Sequence, residues 1–131
     1  MNLLFDTSVI IALEKEDKNT LKLVSELSKK YCGTPYTTFI SYYEFLFGIQ
    51  NRNPKNKENS IEFLNKFNCL HATKKTAEIM QVLRKKCEID GVVINLADLI
   101  IASQAKEHNM TLLSKDKVFE KIEDIDKIIL S

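Results

Sequence analysis

The 131-residue sequence is poor in the residues that several common kinds of site require. Its only glycines, Gly33, Gly48 and Gly91, are too far apart to build the glycine-rich loop that holds nucleotide phosphates. Neither a GxGxxG nor a GxxxxGK[ST] motif is present. The sequence therefore argues against a site for dinucleotides or nucleoside triphosphates.

Cysteine and histidine are also scarce. The three cysteines are an odd number, are widely spaced and form no CxxC pair, which disfavours a disulfide framework. Cys69 and His71 are too few for a zinc site, which usually takes four ligands. We expect the cysteines to be small core residues in a protein of the reducing cytoplasm.

Long apolar runs and an excess of one charge are missing as well. No segment approaches the roughly 18 uninterrupted apolar residues of a membrane-spanning helix. The net charge of +1 neither requires nor excludes nucleic acid, because a basic surface can be local. A composition of 44% hydrophobic and 28% charged residues is typical of a globular chain. We predict one domain spanning residues 1–131.

Short apolar segments alternate with helical patterns along the chain. The polar segment 51–60 is predicted to be a turn. Alternating strands and helices indicate parallel strands joined by crossovers, and thus a three-layer α/β domain. Strands are predicted at residues 2–5, 33–38, 68–74, 111–114 and 127–130. Helical segments are predicted at residues 9–13, 21–28, 39–49, 61–67, 75–90, 95–109 and 117–123.

Acidic residues follow two of the predicted strands. Asp6 comes directly after the first strand, and Asp116 lies two residues beyond Ser114, the end of the fourth. Ligands of open α/β sheets bind in the crevice outside the carboxyl ends of the strands, so we expect both carboxylates there. Taken singly, each acid is also explained as the N-cap of the helix that follows it.

Two more carboxylates lie in apolar helices. Glu44 belongs to FISYYEFLFGI, which is apolar nearly all round and is therefore predicted to be buried. Asp98 is the one charged residue of VVINLADLIIASQA, although an acidic residue also suits the first turn of a helix. A buried carboxylate without a cationic partner calls either for a raised pKa or for a divalent cation. Several carboxylates around one crevice suit Mg²⁺ or Mn²⁺, the ions that assist phosphodiester cleavage.

Together these segments resemble the PIN domain of VapC-type toxin ribonucleases. The resemblance rests on LLFDTSVIIAL with Asp6, ISYYEFLFGI with Glu44, and LADLIIASQAKEHNMTLLSKDKVFEKI with Asp98 and Asp116. It implies a five-stranded parallel sheet of order 3-2-1-4-5. It also implies that these four acids bind Mg²⁺ or Mn²⁺ and carry the catalysis of an endoribonuclease.

The same resemblance assigns supporting roles. Thr7, Ser8 and Ser114 match positions where the family places small hydroxyl residues beside the metals. Lys115, next to Asp116, is the best single candidate for a contact with substrate phosphate. A cognate antitoxin is implied as a partner, and the apolar helices favour a homodimer.

The function that this resemblance implies is metal-dependent hydrolysis of RNA by the toxin of a type II toxin–antitoxin pair. Two alternatives stay open at this point. One is a stand-alone PIN nuclease of RNA processing or turnover. The other is a catalytically silent module that binds RNA or a protein partner.

Overall fold

Five parallel strands form the centre of the protein, in the computed structural model that describes residues 2–31 and 33–131. The strand order is β3-β2-β1-β4-β5, and all four neighbouring pairs run parallel. This confirms the sheet that the resemblance implied. The strands are β1 Leu3–Phe5, β2 Tyr36–Thr38, β3 Asn68–Leu70, β4 Thr111–Ser114 and β5 Lys127–Ile129.

In the described ranges, six helices and one 3₁₀ turn connect the strands. Most of the helices begin at a polar residue whose side chain accepts a hydrogen bond from a backbone N–H of the first turn, which satisfies a donor that the helix itself leaves free. The helices are α1 Thr7–Glu14, α2 Lys18–Lys30, α3 Phe39–Ile49, α4 Pro54–Leu64, α5 Lys74–Ile89 and α6 Leu96–Glu107, and the 3₁₀ turn is Lys117–Lys121.

Apolar clusters cover both faces of the sheet. Successive side chains of a strand point to opposite faces. Leu4 accordingly packs with residues of α5 and α6, while Leu3 and Phe5 pack with residues of α1, α3 and α4. The three residues of β1 are all buried, as expected for a central parallel strand with helices on both sides. The predicted three-layer α/β architecture is confirmed.

The fourth helix begins earlier than predicted. Residues 51–60 were expected to form a turn, but α4 starts at Pro54, with Asn53 as its N-cap. Proline at the first helical position and asparagine before it are both start signals, and they outweigh the polar composition of the segment. Phe67 was expected on this helix but lies beyond its end, where its ring packs edge-on against Phe5 at 5.2 Å between centroids.

Helix α3 is less buried than its composition predicts. Of its residues, Ser41, Phe45 and Ile49 are buried, whereas Tyr43 and Phe47 are 57% and 61% exposed. The expectation that this helix is buried on all sides is therefore wrong. Packing against α1, α4 and α6 covers only part of its circumference.

The remaining expectations concern cysteines and membranes. Cys69 and Cys87 are free thiols, and the prediction for Cys32 lies outside the described residues. Among the described residues, no helix is both long and apolar enough to cross a membrane.

Candidate active site

The ends of β1 and β4 position two of the predicted acids. Asp6 follows β1, and its backbone N–H donates to the carbonyl of Leu113 in β4 at 3.2 Å. Its side chain is 4% exposed and accepts from the N–H of Val9, so it does cap α1. Asp116 is exposed and likewise caps the 3₁₀ turn by accepting from the N–H of Val118. Both acids are N-caps, and both also lie at the carboxyl edge of the sheet.

Helices α3 and α6 bring the other two acids to the same edge. Helix α6 connects to β4 and therefore runs back along the sheet, from the edge where the strands end to the edge where they begin. Its first turn, which holds Asp98, lies at the edge where β4 ends. Asn95 caps this turn by accepting from the N–H of Asp98 at 2.8 Å. Glu44 is exposed, and its Oε1 accepts from the hydroxyl of Thr7 at 2.8 Å. Because Thr7 adjoins Asp6, this bond attaches Glu44 to the end of β1.

The four carboxylates act on one another electrostatically. The pKa of Asp98 is raised from 3.8 to about 6, first by burial and then by the negative charges of Asp116, Glu44 and Asp6. Burial also raises the pKa of Asp6, against the opposing effect of its hydrogen bonds with Ser114, Ser8 and Val9. The fold therefore brings the four predicted acids into one field of mutual repulsion.

Each of the three predicted hydroxyl residues contacts an acid. Ser8 donates to Oδ1 of Asp6 at 2.6 Å, Ser114 donates to Oδ2 of Asp6, and Thr7 donates to Glu44. The two serines also accept from the backbone beyond β4, Ser8 from the N–H of Lys115 at 3.0 Å and Ser114 from that of Asp116 at 2.9 Å. Sequence reasoning identified these hydroxyls but not their contacts with the backbone.

The donor set suits a hard divalent cation. Carboxylate and hydroxyl oxygens are the ligands that Mg²⁺ and Mn²⁺ prefer, and none of the ion pairs formed by the described residues involves these four acids. Across residues 2–31 and 33–131, no three His, Cys, Asp or Glu side chains are placed so that they could hold a metal ion as they stand. A shared ion would therefore require some of these side chains to change their rotamers, and the exposed Glu44 and Asp116 are the freest to do so.

Lys115 lies beside the acids, but its ammonium group points elsewhere. Its Nζ is 3.4 Å from the hydroxyl of Thr20 and 4.0 Å from the carboxylate of Asp17, at the start of α2. Its role in substrate binding stays a prediction. The residue that sequence reasoning missed is Asn95, although an asparagine three residues before Asp98 is a recognisable N-cap signal.

One apolar cavity lies away from the acids. That cavity, of about 290 Å³, lies at the opposite, amino end of the strands, between α2 and the residues after α4. Leu3, Leu21, Val24, Tyr31 and Phe67 are among its lining residues. The chemistry of the carboxylates is thus confined to the carboxyl edge of the sheet.

Comparison with known proteins identifies the family. Residues 3–125 match the PIN domain, so the chain belongs to the PIN domain family. No curated protein matches the sequence.

Solved structures of low sequence identity share the fold. One of these structures is VapBC2 from Rickettsia felis bound to a fragment of promoter DNA. The matching chain has 22% sequence identity and a TM-score of 0.85, over 100% of both chains. For VapBC-1 from nontypeable Haemophilus influenzae the identity is 25% and the TM-score 0.82, over 98% of both chains. VapBC-5 from Mycobacterium tuberculosis is described as a member of the VapBC family of toxin–antitoxin systems. Its sequence identity is 18% and its TM-score is 0.74, over 99% of this chain and 100% of the VapBC-5 chain.

Proposed function

We propose that this protein is a Mg²⁺- or Mn²⁺-dependent endoribonuclease that hydrolyses phosphodiester bonds of RNA. The observation that carries the proposal is that four acids from separate elements meet at the carboxyl edge of the sheet; the raised pKa of Asp98, caused by burial and by the other three acids, agrees with it. Four acids from separate elements share one crevice edge at an electrostatic cost, which a bound cation would offset. Membership of the PIN domain family supports the assignment to nucleases.

The protein's own residues would hold and orient the ion. Asp6, Glu44, Asp98 and Asp116 are the proposed catalytic and metal-binding residues, and Thr7, Ser8 and Ser114 hold two of them in place through hydrogen bonds. When bound, a divalent ion supplies a water of lowered pKa and stabilises the negative charge of the leaving oxygen. Asp6 is nearly fully buried, so its carboxylate has little freedom to leave the crevice.

Cleavage of RNA tests this proposal. Total cellular RNA is incubated with the purified protein and Mn²⁺, with and without EDTA, and the new ends are mapped. We expect cuts that EDTA abolishes and that Asp6→Asn and Asp98→Asn both lack. Asp126→Asn is the charge-matched control, because Asp126 is exposed and precedes β5 at the other end of the strands. Absence of cleavage with any divalent ion would favour the catalytically silent module.

We further propose that the nuclease is the toxin of a type II toxin–antitoxin pair. The support is that structures of the same fold come from VapBC complexes, and one is described as a member of a family of toxin–antitoxin systems. Expression of the chain alone should arrest growth, and co-expression of the reading frame beside its gene should restore it. A lack of toxicity in a protein that cleaves RNA would favour a stand-alone nuclease of RNA processing or turnover.

The exposed side of α3 favours a homodimer. Phe39, Tyr43 and Phe47 recur every four residues, so they form one apolar stripe along the helix. All three are exposed, and Tyr43 at the centre is 57% exposed. When two copies pack around a two-fold axis, each stripe can contact the same stripe of the other copy, and no charged residue of the stripe is buried there. Light scattering should give the mass of a dimer for the wild type and of a monomer for Tyr43→Lys.

A further inference from the structure

Two serines join the buried acid to the segment that carries the exposed one. Residues 115–116, here called the post-β4 segment, follow Ser114, the last residue of β4. Ser8 donates to one carboxylate oxygen of Asp6, and Ser114 donates to the other. The same two hydroxyls accept from consecutive backbone N–H groups of this segment. Asp6 is thereby connected to two successive peptide groups through two hydroxyls.

The partners of Ser8 determine the direction of its hydrogen bonds. A serine hydroxyl has one proton to donate and lone pairs that accept. The N–H of Lys115 can only donate, so Ser8 accepts there and its proton is left for Asp6 at 2.6 Å. The Ser8 hydroxyl therefore has no second proton to offer to a water or to substrate. Its role is to join α1 to the post-β4 segment.

We propose that Ser8 is a positioning residue that fixes the post-β4 segment, and with it Asp116, relative to Asp6. The contact spans 107 positions of sequence and joins the first turn of α1 to the end of β4. Through it, the residue that precedes the exposed Asp116 is tied to the hydroxyl that contacts the buried Asp6. The catalytic consequence rests on the proposed function, whereas the structural contact does not.

The side chain of Lys115 holds the same segment from the other side. Its ammonium group lies against Thr20 and Asp17 at the start of α2, so Lys115 is bound both at its backbone and at its side chain. Both side-chain contacts are long, at 3.4 and 4.0 Å, and the ion pair with Asp17 is partly exposed to solvent, so they contribute little. The Ser8 contact has the ordinary length of a hydrogen bond, 3.0 Å, and is partly buried, so it should be the stronger of the two restraints.

Hydrogen exchange of single amides tests the contact without metal or RNA. In Ser8→Ala the Lys115 amide should exchange about five- to tenfold faster than in wild type, the effect of losing one ordinary hydrogen bond. The Leu112 amide, which donates to the carbonyl of Asp126 at 2.9 Å, is the internal reference and should not change. Ser28→Ala is the matched control, since Ser28 is an exposed helical serine with one hydrogen bond, to Val24. Unchanged exchange at Lys115 would overturn the proposal.

Kinetics test the consequence for catalysis. Ser8→Ala should lower kcat about 10- to 100-fold with KM within about threefold, because misplacing a catalytic group affects the transition state more than binding. Ser8→Thr restores the hydroxyl and should restore kcat to within about threefold of wild type, while Ser28→Ala should match wild type. Wild-type kcat in Ser8→Ala, or no rescue by Ser8→Thr, would overturn the positioning role. Faster Lys115 exchange in Ser8→Ala, in a protein that cleaves no RNA, would support the contact and contradict the proposed function.

Discussion

Replacing Asp98 by Asn should stabilise the metal-free protein while abolishing its activity. Burial and three neighbouring carboxylates raise the pKa of Asp98 from 3.8 to about 6. At neutral pH the folded protein therefore carries a charge that its surroundings disfavour and that the unfolded chain carries freely. Asparagine keeps the shape and a hydrogen-bonding oxygen but removes that charge.

The size of the effect follows from the pKa. A rise from 3.8 to about 6 corresponds to about 3 kcal/mol if each pH unit contributes 1.36 kcal/mol. Asp98 is only half-buried, so solvent screens the repulsion, and we expect about 1–2 kcal/mol instead. For a domain of this size such a gain raises Tm by about 3–8 °C.

The sign of the pH dependence is fixed by the direction of the shift. Because the folded-state pKa of Asp98 is the higher one, the folded protein binds this proton more tightly than the unfolded chain. The stability contributed by the protonated group is complete below about pH 3.8 and is lost as the pH rises through about 6. The advantage of Asp98→Asn over wild type should therefore be greatest above pH 7 and should vanish towards pH 4.

Denaturation by urea in EDTA, repeated from pH 4 to pH 8, measures this difference. Asp126→Asn removes one exposed carboxylate away from the crevice and should show no such trend. If Asp98→Asn is no more stable than wild type at pH 7.5, or if its advantage grows towards acid pH, then the four carboxylates do not repel one another as described.

Three further predictions concern the site and the core. Millimolar Mn²⁺ should raise the Tm of the metal-free wild type, since an ion bound only by the folded state stabilises it by mass action, and a constant Tm would count against the site. Calorimetry should show weaker Mn²⁺ binding by Glu44→Gln than by the wild type, and wild-type affinity in this variant would remove Glu44 from the site. Glu44→Lys should fold but be inactive, because the ammonium group of the new lysine takes the place of the cation. Gln104→Leu should raise the free energy of unfolding by about 1–3 kcal/mol, because the amide oxygen and nitrogen of the Gln104 side chain are buried without a partner among the described residues. Gln81→Leu is the control, since Gln81 is exposed. A loss of stability in Gln104→Leu would contradict the reasoning.

Periodicity and topology made the sheet and the placement of the acids predictable. Alternation of strands and helices requires parallel strands, and the carboxyl ends of parallel strands share one edge. Asp6 and Asp116 were therefore expected together from their positions alone. Glu44 and Asp98 were proposed because a buried lone charge in an apolar helix needs a partner. Asp98 is half-buried, but Glu44 is exposed, so the burial argument was wrong for Glu44. The strand order came from the resemblance to PIN domains and not from the pattern.

Two features were beyond the reach of the pattern. Helix α3 is apolar nearly all round, but composition does not reveal that neighbouring helices cover only part of it. The hydroxyl of Ser8 accepts a hydrogen bond from a backbone N–H 107 positions away. Such a contact depends on how the two chain segments pack, which the local sequence pattern does not reveal. By contrast, the start of α4 could have been predicted from the sequence, since asparagine at the N-cap and proline at the first helical position are regular helix-start signals, here Asn53 and Pro54.

The central claim is that four carboxylates from separate elements share one metal site, and Mn²⁺ titration by calorimetry tests it most directly. The wild type is compared with Asp6→Asn, Asp98→Asn and Asp116→Asn, with Asp126→Asn as control. We predict saturable binding to the wild type and the control, and at least about tenfold weaker binding to each of the three variants, as expected when one ligand of a shared ion loses its charge. Equal binding by all five proteins, or no binding to the wild type, would contradict the claim.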